Sequence, residues 1–282
     1  MKNMLRILPL FEVRSINIRR HLSKRQPACI FFTLRFVPRT VAEWETKMIS
    51  LIIPFYNCAK TAESTLFTAS RFINNYENEP IELIAVNDGS TDNTLSVLES
   101  YENEHIKVVS YEKNRGKGGA ICAGVFASSG DKIIFTDADL AYGLSPTALC
   151  AAALEEYDIA AGSRRSDREI LKNYGLLRNF SSLVFSSVCE FLLHLKLNDT
   201  QCGFKGYRAE AAKELFSRLT INGFGFDLEI LAEARAAGMK ITQIPVKLIK
   251  NEKNSKVSLV SDGAKMLGEI IYIRKKIKSN KR

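Results

Sequence analysis

The chain predicts an α/β fold: a mainly parallel central sheet with helices on both faces. Three observations carry this. Short apolar runs recur from Met48 onward, segments with helix-like spacing separate them, and several of the runs end in a polar loop rich in Asn, Asp or Gly. Buried strands alternating with helices are the signature of a parallel sheet covered on both sides.

Ile49–Ile53, closed by Pro54, predicts the first strand. Ala62, Leu66, Ala69, Phe72 and Ile73 place one apolar stripe on a helix over Thr61–Asn74. Ile81–Val86 predicts the second strand, running into Asn87-Asp88-Gly89-Ser90. Thr91 or Asp92 is then placed to cap a helix reaching Tyr101. Ile106–Val109 is the third strand, and Gly116-Lys117-Gly118-Gly119 opens a helix to Ser128. Lys132–Thr136 is the fourth strand and delivers Asp137. The second half predicts strands over Asp158–Gly162 and Ile241–Ile249, an amphipathic segment over Tyr174–Leu197, a polar turn at Asn198–Gly203 and a helix over Phe226–Ala237.

At 282 residues, one domain is the expectation. Residues 48–275 read as that domain. Residues 1–47 are basic and acid-poor, broken by Pro9, Pro27 and Pro38, and read as a poorly structured extension or an upstream start; 276–282 reads as a basic tail. The formal charge of +9 gathers in Arg14–Arg25 and Arg274–Arg282. Such ends are either solvated tails or an attraction to an anionic membrane surface, at roughly 1 kcal/mol per cation. Nucleic acid is not expected, since no recognised binding motif accompanies the charge. Cys29, Cys58, Cys122, Cys150, Cys189 and Cys202 form no CxxC pair and no zinc spacing, which points to a reducing, cytoplasmic compartment. No run reaches the ~20 apolar residues of a spanning helix. A peripheral position at the cytoplasmic membrane face is therefore expected.

The chemistry gathers at predicted strand ends, where ligands collect in open α/β sheets. Asp137 and Asp139 are alternate residues where a strand stops, so both carboxylates can approach one centre. Two hard oxygen ligands with open positions suit Mg²⁺ or Mn²⁺ completed by substrate phosphates; a solvated acidic loop is the plain alternative. Asp88 fits a turn, a helix cap or a nucleobase contact. Lys117, among glycines that let the backbone approach a ligand, fits a phosphate.

Pro54-Phe55-Tyr56-Asn57, Asn87-Asp88-Gly89-Ser90-Thr91-Asp92, Asn114-Arg115-Gly116-Lys117-Gly118-Gly119-Ala120 and Asp137-Ala138-Asp139 occur in the order seen in family 2 glycosyltransferases, which this chain resembles over residues 49–275. Asp199-Thr200-Gln201-Cys202-Gly203-Phe204-Lys205 and Asn254-Ser255-Lys256-Val257-Ser258-Leu259-Val260 look like the dolichyl-phosphate β-glucosyltransferase branch. The resemblance implies a GT-A fold, with Pro54, Tyr56 and Asp88 around the base of a nucleotide sugar and a metal at Asp137 and Asp139, chiefly Asp139. Two positions depart from the pattern. Cys58 stands where many relatives carry Glu, and Ala141 where some polyprenyl-phosphate enzymes carry Gln, a role that water or Gln201 would have to fill.

The acceptor separates two chemistries. A phosphate monoester, with a second pKa near ~6, is already dianionic and needs cations rather than a base. Arg164, Arg178, Gln201 and Lys205 are the candidates to hold it. A sugar hydroxyl instead needs a carboxylate base, and Asp227 is the candidate. The expectation is inverting transfer of a hexose, glucose from UDP-glucose, to a polyprenyl phosphate. Transfer to a saccharide hydroxyl, or an inactive nucleotide-binding regulator, stand as alternatives.

Overall fold

The computed structural model describes residues 47–164, 190–249 and 261–280, together with four two-residue strands nearer the amino terminus. The chain divides into two compact units, Met1–Thr46 and Lys47–Arg282. In the first, β1 (Phe11–Glu12), β2 (Ile16–Asn17), β3 (Thr33–Leu34) and β4 (Val37–Pro38) pair antiparallel, β1 with β4 and β2 with β3.

The second unit runs β5 (Ile49–Phe55), α1 (Ala59–Asn74), β6 (Ile81–Asp88), α2 (Thr94–Glu99), β7 (Ile106–Tyr111), α3 (Gly116–Ala127), β8 (Lys132–Thr136), α4 (Pro146–Ala153) and β9 (Ile159–Ser163). It continues through β10 (Phe204–Arg208), α5 (Ala209–Ser217), α6 (Phe226–Ala236), β11 (Ile241–Pro245) and α7 (Ser261–Asn280). Seven strands form one sheet in the order β11-β9-β10-β8-β5-β6-β7. The β5–β6, β5–β8, β6–β7 and β9–β11 pairs are parallel. β10 alone is reversed, antiparallel to both β8 and β9.

Alternation along β5 shows how one strand serves two cores. Ile49, Leu51, Ile53 and Phe55 pack with Ala62, Leu66 and Ala69 of α1, Leu98 of α2 and Cys150 of α4. Ile52 faces the other way, joining Ile121 and Val125 of α3, Phe216 of α5, Phe226 and Ile230 of α6, and Ile270 and Ile273 of α7. Period-2 alternation thus loads both faces of a strand that is buried along nearly its whole length.

The expected mainly parallel sheet and the strands near Ile49, Ile81, Ile106, Lys132, Ile159 and Ile241 are present. Three details differ. Asn93, rather than Thr91 or Asp92, stands directly before α2, yet Asp92 Oδ1 accepts from Thr94 N, the first amide of that helix, at 3.0 Å, while its Oδ2 accepts from Ala59 N at 3.3 Å. Of Tyr174–Leu197 only 190–197 is described; its helix stops at Leu193, and His194 takes a left-handed φ of 55°. Third, the boundary drawn at residue 275 falls inside α7, which continues to Asn280. Among the described residues no helix is long and apolar enough to cross a membrane.

Lys276, expected in a basic tail, is instead an internal tie. Its ammonium lies 2.5 Å from Glu229 Oε1 and 2.6 Å from Glu233 Oε1 on α6. Glu229 is wholly buried and also accepts from Thr220 N, Thr220 Oγ1 and Ile221 N. Removing one partner of a buried pair leaves an uncompensated charge. Lys276→Met should therefore destabilise the chain by about 3 kcal/mol in equilibrium urea unfolding, the low end for such pairs because three donors to Glu229 remain. Adding Glu229→Gln to it should recover part of that loss.

Candidate active site

The carboxyl ends of the parallel strands meet along one edge, and the reversed β10 starts there. Register sets Phe55 beside Asn87, Ile52 beside Phe135, and Phe204 beside Thr136. The residues that follow β5, β6, β8 and β9, and those that precede β10, therefore emerge together. Pro54 is half-buried at the end of β5 and Tyr56, just past it, is half exposed. Asn57 ties this loop to the next: its Oδ1 accepts from Thr91 N at 2.7 Å, and its N–H donates to Ser90 Oγ at 3.1 Å. Cys58 N–H donates to Thr94 Oγ1 at 2.9 Å, while burial raises the thiol pKa.

Asp88 ends β6 and is buried. Its carboxylate accepts from Tyr111 Oη at 2.8 Å, Asn114 Nδ2 at 3.0 Å, Arg115 N at 2.7 Å and Gly116 N at 3.0 Å. The Arg115 guanidinium stacks 4.2 Å from the Tyr111 ring centre. Gly118 and Gly119, at the start of α3, donate to Asn222 O.

Asp137 follows β8 directly and lies 2.5 Å from Lys117 Nζ. A Cβ at residue 203 would meet Asp137 Oδ2 at 1.9 Å, so glycine lets the segment leading into β10 pass close to this carboxylate without displacing it. Asp139 Oδ1 accepts from Ala141 N at 3.0 Å, which fixes the carboxylate by a bond that position 141 makes with its backbone.

Behind this pair lies a second one. Lys205 of β10 is fully buried; its Nζ donates to Cys202 O at 2.6 Å and lies 2.8 Å from Asp227 Oδ1 of α6. Burial raises the Asp227 carboxyl pKa, and the Lys205 and Lys117 charges oppose that rise. For Lys117, burial lowers the pKa, but Asp137 and then Asp227 outweigh it, so the net shift is upward and the ammonium stays charged.

Arg164, just past β9, grips Asp199 in a two-pronged pair, Nε to Oδ2 at 2.7 Å and Nη2 to Oδ1 at 2.9 Å, while its backbone N–H donates to Oδ2 at 3.1 Å. The Arg164 pair and the backbone bonds hold the Asp199 carboxyl pKa below its ordinary value, outweighing desolvation, the largest single influence and an opposing one. Gln201 donates its backbone N–H to Asp199 Oδ1 at 3.2 Å, and its buried Nε2 has no hydrogen-bond partner among the described residues.

One expectation for the acceptor is corrected here, that of Lys205; Arg164 keeps its candidacy as a cation held in place by Asp199. Lys205 is not at the surface at all, because β10 runs through the middle of the sheet and its side chain is enclosed with Asp227. Arg178 lies outside the described residues. Sequence reasoning missed Tyr111 and Asn222 and met Asn114 and Asp199 only as members of motifs, since each works through a neighbour brought in by the fold.

Residues 50–216 match the family model "Glycosyl transferase family 2". The chain is 31% identical over 245 residues to the mouse dolichyl-phosphate beta-glucosyltransferase, covering 81% of this chain and 75% of that protein. It is 29% identical over 251 residues to the Saccharomyces cerevisiae enzyme of the same name, covering 82% and 75%. In fold it is similar to the glucosyl-3-phosphoglycerate synthase of Mycobacterium tuberculosis crystallised with Mn²⁺, UDP and glucosyl-3-phosphoglycerate, at a TM-score of 0.59 and 20% identity over 84% of this chain and 81% of that one. With the strand-end motifs and the one reversed strand in place, the chain belongs to glycosyl transferase family 2.

Proposed function

We propose that this chain transfers glucose, with inversion, from UDP-glucose to a dolichyl or other polyprenyl phosphate. The observation that carries the reading is its likeness over four-fifths of its length to enzymes named dolichyl-phosphate beta-glucosyltransferase. Pro54 and Tyr56 line the side where the base would lie, and Lys117 stands at the diphosphate. Asp137 and Asp139 would hold a divalent cation, Mg²⁺ or Mn²⁺. The fit is good: both side chains offer hard oxygens past the end of one strand, Asp139 is oriented by Ala141 N, and Gly203 keeps space beside Asp137. When bound, such a cation supplies Lewis-acid stabilisation of a leaving diphosphate.

The rest of the chemistry falls to the chain. Lys117 is paired to Asp137, and a diphosphate bound there draws the same ammonium to its oxygens. The acceptor phosphate oxygen attacks the anomeric carbon from the face opposite the leaving UDP, the new C–O bond forming as the old one breaks. With a second pKa near ~6 the attacking phosphate is already ionised, so no proton has to be removed. Arg164 spends two of its side-chain N–H donors on Asp199 and keeps the others for a phosphate, its plane fixed by that pair. Gln201 Nε2, which has no partner among the described residues, is a second donor.

Asp227 favours this acceptor over a sugar hydroxyl. A base must reach the proton it removes, whereas Asp227 is 3% exposed and ion-paired to Lys205. A peripheral membrane position would let a polyprenyl chain stay in lipid while its phosphate enters.

Labelled UDP-glucose with dolichyl phosphate and Mn²⁺ should yield a lipid-linked glucose on chromatography, and absence of that product overturns the acceptor assignment. Asp139→Ala should reduce transfer at least about a hundredfold, the scale for losing a group that stabilises transition-state charge, and should abolish Mn²⁺ binding followed by electron paramagnetic resonance. Asp227→Asn should destabilise the fold by about 3–5 kcal/mol by stranding Lys205, while the rate per folded molecule keeps its pH profile. Loss of the acid limb of that profile would instead point to a base and a hydroxyl acceptor.

A further inference from the structure

α7 packs on the rest of the chain with one face and leaves another bare. Ile270 and Ile273 are buried, Ile277 packs beside them, and Lys276 reaches back to Glu229 and Glu233 of α6. Leu267, Ile271, Lys275 and Lys278 stand at helical spacing and form one outward stripe, with Tyr272 beside it; all five are exposed. An apolar half and a basic half thus follow each other along the same surface. Between residues 267 and 279 the one acid is Glu269, and its carboxylate is turned to Gly225, where a Cβ would meet Oε2 at 2.1 Å. The outward stripe therefore carries cations with no acid of its own helix to answer them.

The direction of the helix decides where the two halves lie. Glu269 sits at the start of α6, whereas Lys276 bonds Glu229 and Glu233 further along it, so α6 and α7 run side by side in the same sense. The loop before α6 also reaches the candidate site, because Asn222 O accepts from Gly118 N at 2.8 Å, next to Lys117. The apolar half of the stripe consequently stands at the edge that carries Lys117 and Asp137. Lys275 and Lys278 lie roughly 10 Å further along the helix axis. In the same loop Phe224, one residue from the Glu269 contact, is 68% exposed. An interfacial helix needs these two chemistries, side chains that enter the acyl boundary and cations for the lipid phosphates outside it. A second copy of the chain would meet the stripe with the same uncompensated cations.

We propose that α7 and Phe224 form a docking surface for an anionic lipid bilayer, with Phe224, Leu267 and Ile271 entering the lipid and Lys275 and Lys278 on headgroup phosphates. Docked in this way, the bilayer lies beside the edge that carries Lys117 and Asp137, and a lipid-borne phosphate meets the site without leaving the membrane plane. The inference rests on the polyprenyl-phosphate reading for its purpose, but its test uses neither donor nor acceptor.

The full-length protein is co-sedimented with vesicles of phosphatidylcholine, and with vesicles of phosphatidylcholine and phosphatidylglycerol. Wild type should bind the anionic vesicles more tightly, and added salt should weaken that binding. Lys275→Gln together with Lys278→Gln should weaken it about twenty-five-fold, at about fivefold per cation. Ile271→Ser and Phe224→Ser should each weaken it about tenfold, the scale of one apolar side chain taken out of water. Phe126→Ser removes an exposed aromatic at the far end of α3 and should bind as wild type. These side chains are exposed, so urea midpoints should match wild type in every variant.

Wild type left in the supernatant overturns the proposal. So do stripe variants that bind like wild type, the result expected if residues 1–47 supply the attraction, and an equal loss in Phe126→Ser. A dimer in analytical ultracentrifugation that Ile271→Ser dissociates would assign the face to a second copy instead. Lipid-linked glucose formed by a protein that binds no vesicles would remove this surface and leave the acceptor reading standing. Vesicle binding lost in the stripe variants, without that product in wild type, would do the reverse.

Discussion

Burying four charges at one edge of a sheet is tolerable only if they alternate and pair. Lys205, Asp227, Lys117 and Asp137 do this in sequence from the interior outward, with Lys205 fully enclosed and Asp137 about one-third open to solvent. An unpaired charge at the inner end would cost several kcal/mol, and its partner would suffer with it. The pairing therefore constrains which strand sits where. Lys205 reaches Asp227 because β10 is threaded between β8 and β9, and Lys117 reaches Asp137 because α3 starts at the carboxyl end of β8. The outward decline in burial also divides the labour: the inner pair holds the sheet to α6, and the outer pair stays open to a ligand.

Much of this was legible in the chain. Ile49–Ile53, Ile81–Val86 and Lys132–Thr136 are apolar runs fed into polar loops, so their place as buried parallel strands follows from burial alone, and Asp88 and Asp137 follow as strand-end residues. β10 was not legible. Phe204-Lys205-Gly206-Tyr207 alternates a charge and a glycine with aromatics, and a lysine in the middle of a sheet reads as surface until its partner on α6 is known. α7 was missed for a related reason: Arg274, Lys275, Lys276 and Lys278 read as a solvated tail, while the carboxylates that bury Lys276 lie more than forty residues away in sequence. Asp92 bonds the first amide of α2 with one oxygen and Ala59 N with the other, and only the first of these contacts is local enough to be read from sequence.

The site residues divide along the same line. Asp137 and Asp139 are local: their spacing and their strand suffice. Arg164 and Lys205 are not, since each is defined by the acid that holds it. Asp199 turns Arg164 from a mobile cation into a fixed fork, the form in which guanidinium best recognises a phosphate. Asp227 withdraws Lys205 from ligand contact. The two cations thus have opposite fates, and only the third dimension tells them apart.

The reversal of β10 has a consequence for how such a site changes over time. A strand running against its neighbours begins where they end, so the segment before it arrives at the same edge as Asp137 without itself ending a parallel strand. Residues replaced between Asn198 and Gly203 would alter what passes beside Asp137, yet shift no hydrogen-bonded register in β5, β6 or β8. The strand-end carboxylates and the segment that runs past them can thereby change separately.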